Sequence, residues 1–290
     1  MKPVAFGWQR ATDLPQALGA RAAGALCIAG GQSLGPMLNL RLVQPQSLLE
    51  VRQLAAMRET TLVEGRLRIG AAVTHAELED GGLPDTTQGM LRQVARNIAY
   101  RAIRNRGTLG GSLAHCDPAA DWVNALSALD AQVVLQSPQR QRSLPMQAFV
   151  RGPFHTALQP DELLLAVELP AFTPALRWGY YKICAKVGEF ADAIGVVVSD
   201  PGLGWHCLLA GAIEARPLLV QGVTDLLQQP LPAAEVVRQR LGQALQEQLP
   251  DSDAVFVHRH VVALQRALMQ CLGSSGSAAD QVVPDRQEGA

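Results

Sequence analysis

The chain has 290 residues, of which 48% are hydrophobic and 18% are charged, and this composition predicts a soluble globular protein with a sizeable core. Its 25 Lys and Arg residues nearly balance its 26 Asp and Glu residues, so the net charge of −1 gives no electrostatic reason to expect nucleic acid or an anionic membrane as a partner. The N-terminal stretch lacks the apolar segment of a signal peptide, and no apolar run approaches the ~18–20 residues of a membrane-spanning helix. We therefore expect a cytoplasmic protein without a membrane span.

The five cysteines are scattered along the chain, and none lies within four residues of another. This spacing excludes a CxxC metal or redox motif, and the odd number favours thiols in a reducing compartment. We therefore expect no metal site and no iron–sulfur cluster held by this chain alone. The cysteines are Cys27, Cys116, Cys184, Cys207 and Cys271.

The first 54 residues are predicted to form a small β-α-β unit. The stretch Thr12-Asp13-Leu14-Pro15 is typical of a helix start, and the helix is expected to continue to about Gly24. A short buried strand follows over residues 25–29 and ends at a glycine turn. No helix is expected to begin cleanly after Leu34, because the apolar pattern there is short.

A second block is predicted over residues 55–170. It begins with a hairpin that turns at Glu64-Gly65, followed by a helix capped at Thr74. A long helix is expected over residues 86–104, then a second glycine turn, a helix after Asp117-Pro118 and a strand from Gln132.

A third block, residues 175–272, is predicted to contain three strands and then two helices. The strands are RWGYYKICA, IGVVVSD and WHCLLAGAIEA, and the helices occupy 233–248 and 253–272. Residues 273–290 have the composition of a disordered tail. The chain is thus expected to be an α+β protein with a domain at 1–170, divided into subdomains of about 1–54 and 55–170, and a second domain at 175–272.

The segment Gly31-Gln32-Ser33-Leu34-Gly35 matches the G-x-S-x-G motif of serine hydrolases. Such a nucleophile needs preceding strands and an earlier loop that supplies the oxyanion hole, and too few residues precede Ser33 to provide them. Asp121 with His155 or His206 would complete a catalytic triad. A serine hydrolase using Ser33 is therefore kept only as an alternative function.

A second interpretation of the same segment is a binding site for an anion. Residues 29–33 and 108–112 each combine two adjacent glycines with hydroxyl side chains, so main-chain amides at both turns can converge on a phosphate. Two such turns can hold the two phosphates of a dinucleotide. The structural alternative is a pair of tight turns between packed elements, since neither turn is a Walker or Rossmann motif.

The motifs AGGQSLGPMLNLRL and IRNRGTLGGSLAHCDPAAD, in this order, strongly resemble the FAD-binding medium subunit of the molybdenum hydroxylases. This family includes carbon monoxide dehydrogenase, xanthine dehydrogenase and bacterial N-heterocycle hydroxylases. The stretches VTHAELE, FHTALQPDELLLAVELP and GYYKICAKVGEFADAIGVVV are similar to its later motifs. The resemblance extends from about residue 3 to about residue 272.

The resemblance implies a two-part FAD-binding domain of the vanillyl-alcohol-oxidase (PCMH) type, followed by a C-terminal three-stranded sheet with helices. It also implies an electron-transfer subunit of an oxidoreductase. Electrons would come from the [2Fe–2S] clusters of a small partner subunit, which receives them from a large molybdopterin subunit, and would leave through FAD to an external acceptor. The complex would be a dimer of heterotrimers. A stand-alone flavin-dependent oxidase of the same fold is the alternative.

The resemblance further implies which residues bind FAD, and it implies no catalytic residue in this chain. Asp121 would contact the ribose or adenine end, Ile98 would lie near the adenine, and Leu165 and Lys182 would lie near the isoalloxazine. From the residues alone, Asp121 is as readily a helix-face charge, Ile98 a core residue and Lys182 a solvated lysine. The two diphosphate turns would comprise Cys27, Ile28, Ala29, Gly30, Gly31, Gln32, Ser33 and Leu34 in the first, and Thr108, Leu109, Gly110, Gly111 and Ser112 in the second.

Two further features leave alternatives open. A run of arginines at positions 92, 96, 101, 104 and 106 is either a solvated charged face or a docking surface for a partner subunit. The segment Lys186-Val187-Gly188-Glu189-Phe190 stands where the family usually has an arginine-rich segment followed by Gly-Asp-Phe. The site of the external electron acceptor is therefore expected to differ from that of relatives that use NAD.

Overall fold

The structure is a computed structural model that describes residues 2–273. The predicted disordered tail lies outside the described residues except for Gly273, which ends the last helix. Within the described part, no helix is long and apolar enough to cross a membrane.

The N-terminal part is a parallel three-stranded sheet with two connecting helices. Its strands are ordered β1-β3-β2, so β3 lies in the centre. Helix α1 begins with Asp13 as its cap, because the Asp13 side chain accepts a hydrogen bond from the main chain of Gln16 at 2.8 Å. The elements are β1 (Gly7–Arg10), α1 (Leu14–Ala22), β2 (Leu26–Ile28), α2 (Leu34–Asn39) and β3 (Ser47–Glu50).

The middle part is an antiparallel five-stranded sheet in the order β4-β5-β10-β6-β7. The predicted hairpin at Glu64-Gly65 is confirmed, and Thr74 caps α3 through a reciprocal capping box with Glu77. The strands are β4 (Thr60–Val63), β5 (Arg66–Gly70), β6 (Gln132–Gln136), β7 (Gln141–Pro145), β8 (Val150–Gly152), β9 (His155–Thr156) and β10 (Leu163–Pro170), with β8 and β9 forming a separate hairpin. The helices are α3 (His75–Asp80), α4 (Met90–Arg96), α5 (Arg101–Arg104), α6 (Leu109–His115), α7 (Asp121–Ala128) and α8 (Met146–Phe149).

The C-terminal part is an antiparallel four-stranded sheet, and two helices cover one of its faces. Strand β12 is buried along its whole length because α7 packs on one face of the sheet and α10 on the other. A Cβ atom added to Gly179 would lie 1.8 Å from the carbonyl oxygen of Ala267, so glycine is what allows α10 to approach the sheet this closely. The elements are β11 (Arg177–Ile183), β12 (Ala193–Asp200), β13 (Trp205–Gly211), β14 (Leu218–Leu219), α9 (Ala234–Gln248) and α10 (Ala254–Gly273).

Three sequence-based expectations differ from the structure. The C-terminal sheet has four strands instead of three, because β14 has only two residues and is too short to produce a periodic pattern. The predicted helix 86–104 is divided into α4 and α5, since Ala99 takes a positive φ of 42° between them. A helix does begin directly after the first glycine turn, at Leu34, although it has only six residues.

Candidate functional site

The two glycine turns lie against each other although they are far apart in the sequence. A Cβ atom added to Gly30 would lie 2.0 Å from the carbonyl oxygen of Arg106 and 2.8 Å from the Cα atom of Gly107. The Arg106 guanidinium also donates to the carbonyl oxygen of Gly30 at 3.5 Å. The contact is therefore between main chains, and only glycine fits at position 30.

The first turn presents a series of main-chain amides without partners. Gly31 takes a positive φ of 69°, and α2 begins three residues later. Within residues 2–273, the N–H groups from Gly30 to Leu34 donate to no acceptor, and Ser33 makes no side-chain cap bond to α2. Unpaired amides at a turn that leads into a helix favour an anionic ligand.

The second turn differs from the prediction, because its amides are already used. Leu109 donates to the carbonyl oxygen of Val73 at 2.9 Å, and Gly110 donates to that of Ala71 at 2.8 Å. The N–H groups of Gly111 and Ser112 donate to the side chain and the carbonyl oxygen of Thr108, which caps α6. Because these amides make bonds within the protein, we expect this turn to offer a phosphate the hydroxyl groups of Thr108 and Ser112.

A cleft of about 260 Å³ opens where the two turns meet. Its walls come from both turns, from the segment between α4 and α5, from the start of α7 and from the loop after β11. The predicted site residues that line it are Cys27, Ile28, Ala29, Gly30, Gly31, Gln32, Ser33, Leu34, Ile98, Thr108, Gly111, Ser112 and Asp121.

Four predicted site residues do not line this cleft. Leu109 and Leu165 are buried core side chains, at 0% and 3% exposure. Gly110 packs under the turn, since a Cβ atom there would lie 2.4 Å from the Cβ atom of Ala71. Lys182 is not part of the cleft lining, and its buried ammonium pairs with Asp121.

Lys182 and Asp121 form a buried ion pair. The Lys182 ammonium lies 3.1 and 3.2 Å from the two carboxylate oxygens of Asp121 and donates to the carbonyl oxygen of Asn97 at 3.1 Å. The hydroxyl of Tyr180 donates to the same carboxylate at 2.7 Å. Burial raises the pKa of Asp121, whereas Lys182 and Tyr180 stabilise its ionised form. The pair neutralises the carboxylate, so that the cleft wall carries less negative charge towards a bound anion.

Several residues of the cleft were not predicted as site residues. His75 is the most informative of them, because its Nδ1 accepts a hydrogen bond from the indole of Trp122 at 3.0 Å and burial lowers its pKa to about 4. The sequence contains one local signal for His75, its place directly after the cap Thr74, but none for the distant Trp122. The other unpredicted lining residues are Ala99, Ile103, Gly107, His115, Asp117, Ala120, Gly188, Glu189 and Phe190.

The loop that follows β11 closes one side of the cleft. Gly188 has a positive φ of 88°, and a Cβ atom there would lie 2.9 Å from the carbonyl oxygen of Ala99. Phe190 lines the cleft while 65% of its surface is exposed to solvent. The C-terminal part of the chain thus contributes to the same site as the two turns.

The geometry does not support a serine nucleophile. Within residues 2–273, the Ser33 hydroxyl has no hydrogen bond to a histidine. Of the suggested partners, Asp121 is held by Lys182 and Tyr180, and His206 pairs with Ser199 at 3.1 Å. His75, which does line the cleft, has a pKa too low for a general base near neutral pH.

The described residues also contain no group of three or more His, Cys, Asp or Glu side chains arranged to hold a metal ion. Two of the five arginines in the run pair with acidic side chains. Arg101 contacts Glu79 and Asp80 at 2.7 Å, and Arg104 contacts Glu79 at 2.8 Å. The Arg101–Asp80 pair is exposed, as on a solvated charged face, whereas the Arg104–Glu79 pair is largely buried.

Comparison with known proteins identifies the domain that contains this cleft. A family model described as the FAD binding domain in molybdopterin dehydrogenase matches residues 4–172. The chain is 31% identical over 202 residues to the caffeine dehydrogenase subunit beta of Pseudomonas sp. (strain CBB1), covering 68% of each chain. It is 34% identical over 205 residues to subunit alpha of the 6-hydroxypseudooxynicotine dehydrogenase complex of Paenarthrobacter nicotinovorans, covering 69% of each chain.

Solved structures share the whole architecture. Quinoline 2-oxidoreductase from Pseudomonas putida 86 superposes with a TM-score of 0.86 at 28% identity, covering 95% of this chain and 99% of that one. Carbon monoxide dehydrogenase from Hydrogenophaga pseudoflava superposes with a TM-score of 0.85 at 25% identity, covering 94% and 99%. The predicted family and the α+β FAD-binding fold are confirmed, with the correction to four strands in the C-terminal sheet. The chain belongs to the FAD-binding medium subunits of the molybdenum hydroxylases, and it is the flavoprotein subunit of an oxidoreductase complex.

Proposed function

We propose that the cleft between the two turns holds the diphosphate bridge of FAD. The observation that carries this proposal is the row of unpaired amides from Gly30 to Leu34, in a cleft that Thr108 and Ser112 also line. The residues fit the cofactor, because Gly111 is exposed at the cleft and glycines keep the main chain open to a phosphate. Ile98 and Asp121 line the same cleft, which supports their predicted place beside the adenosine part.

The role we propose for the chain is electron transfer within a complex. FAD, when bound, accepts electrons from the [2Fe–2S] clusters of a small partner subunit and passes them to an external acceptor. The chain's own residues would bind and orient the cofactor, with main-chain amides and hydroxyl groups donating hydrogen bonds to its diphosphate. Electrons would originate at a molybdopterin centre in a large subunit.

The relatives' descriptions support this assembly. One is the medium chain of a carbon monoxide dehydrogenase, and a solved form of that enzyme lacks the Mo-pyranopterin moiety of its molybdenum cofactor. We propose that this chain likewise assembles with a small and a large subunit, and that two such heterotrimers form a dimer. We also propose the cytoplasm as its compartment, since no disulfide joins Cys27, Cys116, Cys184 or Cys207 within the described residues.

The first experiment is the absorption spectrum of the purified chain. We expect the two visible bands of a flavin, with FAD and not FMN released on denaturation. Protein that is colourless and stays colourless after incubation with FAD would contradict the proposed cofactor role. Oxidation of an organic substrate by the isolated chain would instead favour the stand-alone oxidase.

The electron-transfer role is tested on the purified complex. The complex is reduced with a limiting amount of dithionite, with and without removal of FAD, and its clusters are followed by electron paramagnetic resonance. We expect oxygen to reoxidise the clusters quickly only when FAD is present. Equal rates of reoxidation in both samples would mean that FAD does not connect the clusters to the acceptor.

A further inference from the structure

His75 occupies the point where the two turns meet. It is the first residue of α3, its main-chain N–H donates to the carbonyl oxygen of Gly107 at 3.0 Å, and its side chain is 5% exposed. A Cβ atom added to Gly107 would lie 2.8 Å from the imidazole Nε2. Because Gly107 also packs against Gly30, this nitrogen lies beside the contact between the turns, in the wall of the cleft.

The protonation state of His75 is fixed by its neighbour. The indole N–H of Trp122 can only donate, so the Nδ1 atom, 3.0 Å away, must accept and carries no proton. The ring is neutral at physiological pH, because burial and the positive charge of Arg104 lower its pKa to about 4. A neutral ring without a proton on Nδ1 carries it on Nε2, and within residues 2–273 this N–H, on a side chain that lines the cleft, donates to no protein acceptor.

We propose that His75 is a neutral hydrogen-bond donor to the diphosphate bridge of FAD, acting through its Nε2–H. This inference rests on the proposed function, which places the diphosphate between the turns. A donor that no protein group uses is available to a ligand, and a hydrogen bond to a charged acceptor oxygen in the cleft strengthens binding of that ligand. A diphosphate has only acceptor oxygens, and a neutral donor avoids the cost of burying a cation beside Arg104.

The role of Trp122 is that of a positioning residue. The Trp122 indole donates to Nδ1 of His75, so the ring proton stays on Nε2. A hydrogen-bond partner fixes the tautomer of a metal-binding histidine in the same way. Trp122 itself is fully buried and does not line the cleft. Its effect on cofactor affinity is therefore expected to pass through His75 alone.

The test compares two substitutions and three ligands by titration of the cofactor-free chain. His75→Phe removes the donor, and His75→Gln keeps an N–H near the position of Nε2. We expect His75→Phe to weaken binding of FAD and of ADP by about 10- to 100-fold, the range for a hydrogen bond to a charged group. The affinity of His75→Gln for FAD and for ADP is expected to stay within roughly fivefold of the wild-type affinity. Riboflavin, which has no phosphate, should bind both variants as it binds wild type.

A matched control is His260→Phe, which replaces another buried histidine, one whose ring nitrogens each lie 2.9 Å from a carbonyl oxygen, of Phe256 and Gly211, away from the cleft. It should lower stability without changing FAD affinity. Unchanged FAD binding by His75→Phe, with wild type binding normally, would overturn this inference and leave the proposed function intact. If His75→Phe lost affinity for riboflavin and for ADP equally, the inference would also be overturned, because the contact would then not be to the diphosphate.

The tautomer can be measured without any variant. A long-range ¹H–¹⁵N spectrum of the wild-type chain should show His75 protonated on Nε2, and the Nε2–H resonance should shift when ADP is added. A proton on Nδ1, or no shift while ADP binds, would contradict the inference. Failure of wild type to bind FAD at all would overturn both this inference and the proposed function.

Discussion

The ammonium group of Lys182, on β11, lies 3.1 Å from the carboxylate of Asp121 at the first residue of α7. Their side chains are 7% and 8% exposed, and Tyr180 completes the contact. The pair connects the C-terminal sheet to the helix that forms one wall of the cleft. Lys182 therefore acts on the cleft wall through Asp121, and its predicted place near the isoalloxazine stays a prediction.

The first prediction concerns the energy of this pair. Lys182→Met leaves the Asp121 carboxylate buried without its cation and should cost about 3–5 kcal/mol of unfolding free energy. The double variant Asp121→Asn with Lys182→Met should cost less than the sum of the single variants, as measured by urea unfolding of the cofactor-free chain. Additive costs would mean that the two side chains do not interact.

Asp80→Asn provides the control for that cycle. It removes an exposed carboxylate that pairs with Arg101, and exposed ion pairs are screened by water. Its unfolding midpoint should match that of wild type. A loss as large as that of Lys182→Met would show that burial is not what makes the Asp121 pair important.

The second prediction separates the two adjacent glycines of the second turn. Gly111 is exposed at the cleft, and a Cβ atom there meets only the Thr108 hydroxyl at 2.8 Å. Gly111→Val should therefore reduce FAD affinity by at least about tenfold, because its methyl groups enter the phosphate site and disturb the cap. Stability of the cofactor-free chain should fall by only about 1–2 kcal/mol.

Gly110→Val is the matched substitution. Here the new side chain would collide with Ala71 inside the protein, where a Cβ atom lies 2.4 Å from that of Ala71. Its main effect should be a lower melting temperature of the cofactor-free chain. If Gly111→Val retained flavin in full while Gly110→Val lost it, the diphosphate would have to be placed elsewhere.

Much of this fold could be predicted from the sequence, because its elements carry strong local signals. The Glu64-Gly65 turn, the cap at Thr74 and the apolar strand β12 are all decided by residues close in sequence. The first glycine turn is also determined by residues close in sequence. Its amides are free because a short strand ends there and no carbonyl group within residues 2–273 accepts from them.

The remaining features depend on contacts between distant residues. The second turn resembles the first in sequence, yet the carbonyl groups of Ala71 and Val73 take its amides. The pairing of Lys182 with Asp121 joins residues 61 positions apart, and Trp122 lies 47 positions from His75. No periodic pattern or turn motif reports such contacts, so residue types alone could not decide between a solvated lysine and a buried one.

The third prediction concerns the loop after β11. Phe190 lines the cleft and is 65% exposed, so its ring can pack against a cofactor bound there. Phe190→Ala should weaken FAD binding by about 5- to 30-fold, as expected for loss of roughly 1–2 kcal/mol of apolar contact. Stability of the cofactor-free chain should not change, since an exposed side chain contributes little to it.

Val187→Ala is the control for the loop, because Val187 is 79% exposed and does not line the cleft. Both substitutions shorten an exposed apolar side chain in the same segment. Equal affinities for FAD in the two variants, measured by quenching of flavin fluorescence, would show that Phe190 does not cover the cofactor.

The fourth prediction is a pH dependence of stability that comes from His75. Burial lowers its pKa from 6.5 to about 4 in the folded chain, so the unfolded chain takes up the proton first as the pH falls. Its contribution to stability is therefore complete above pH 6.5 and is lost between pH 6.5 and about 4, by about 3 kcal/mol in total.

Other groups titrate in this range as well, including the buried His260, whose pKa is also lowered by burial. The measurement is therefore the difference in unfolding free energy between wild type and His75→Gln, in which their shared contributions cancel. This difference should shift in favour of the variant as the pH falls through that window, whereas parallel stability curves would mean that the imidazole is not held neutral by the fold.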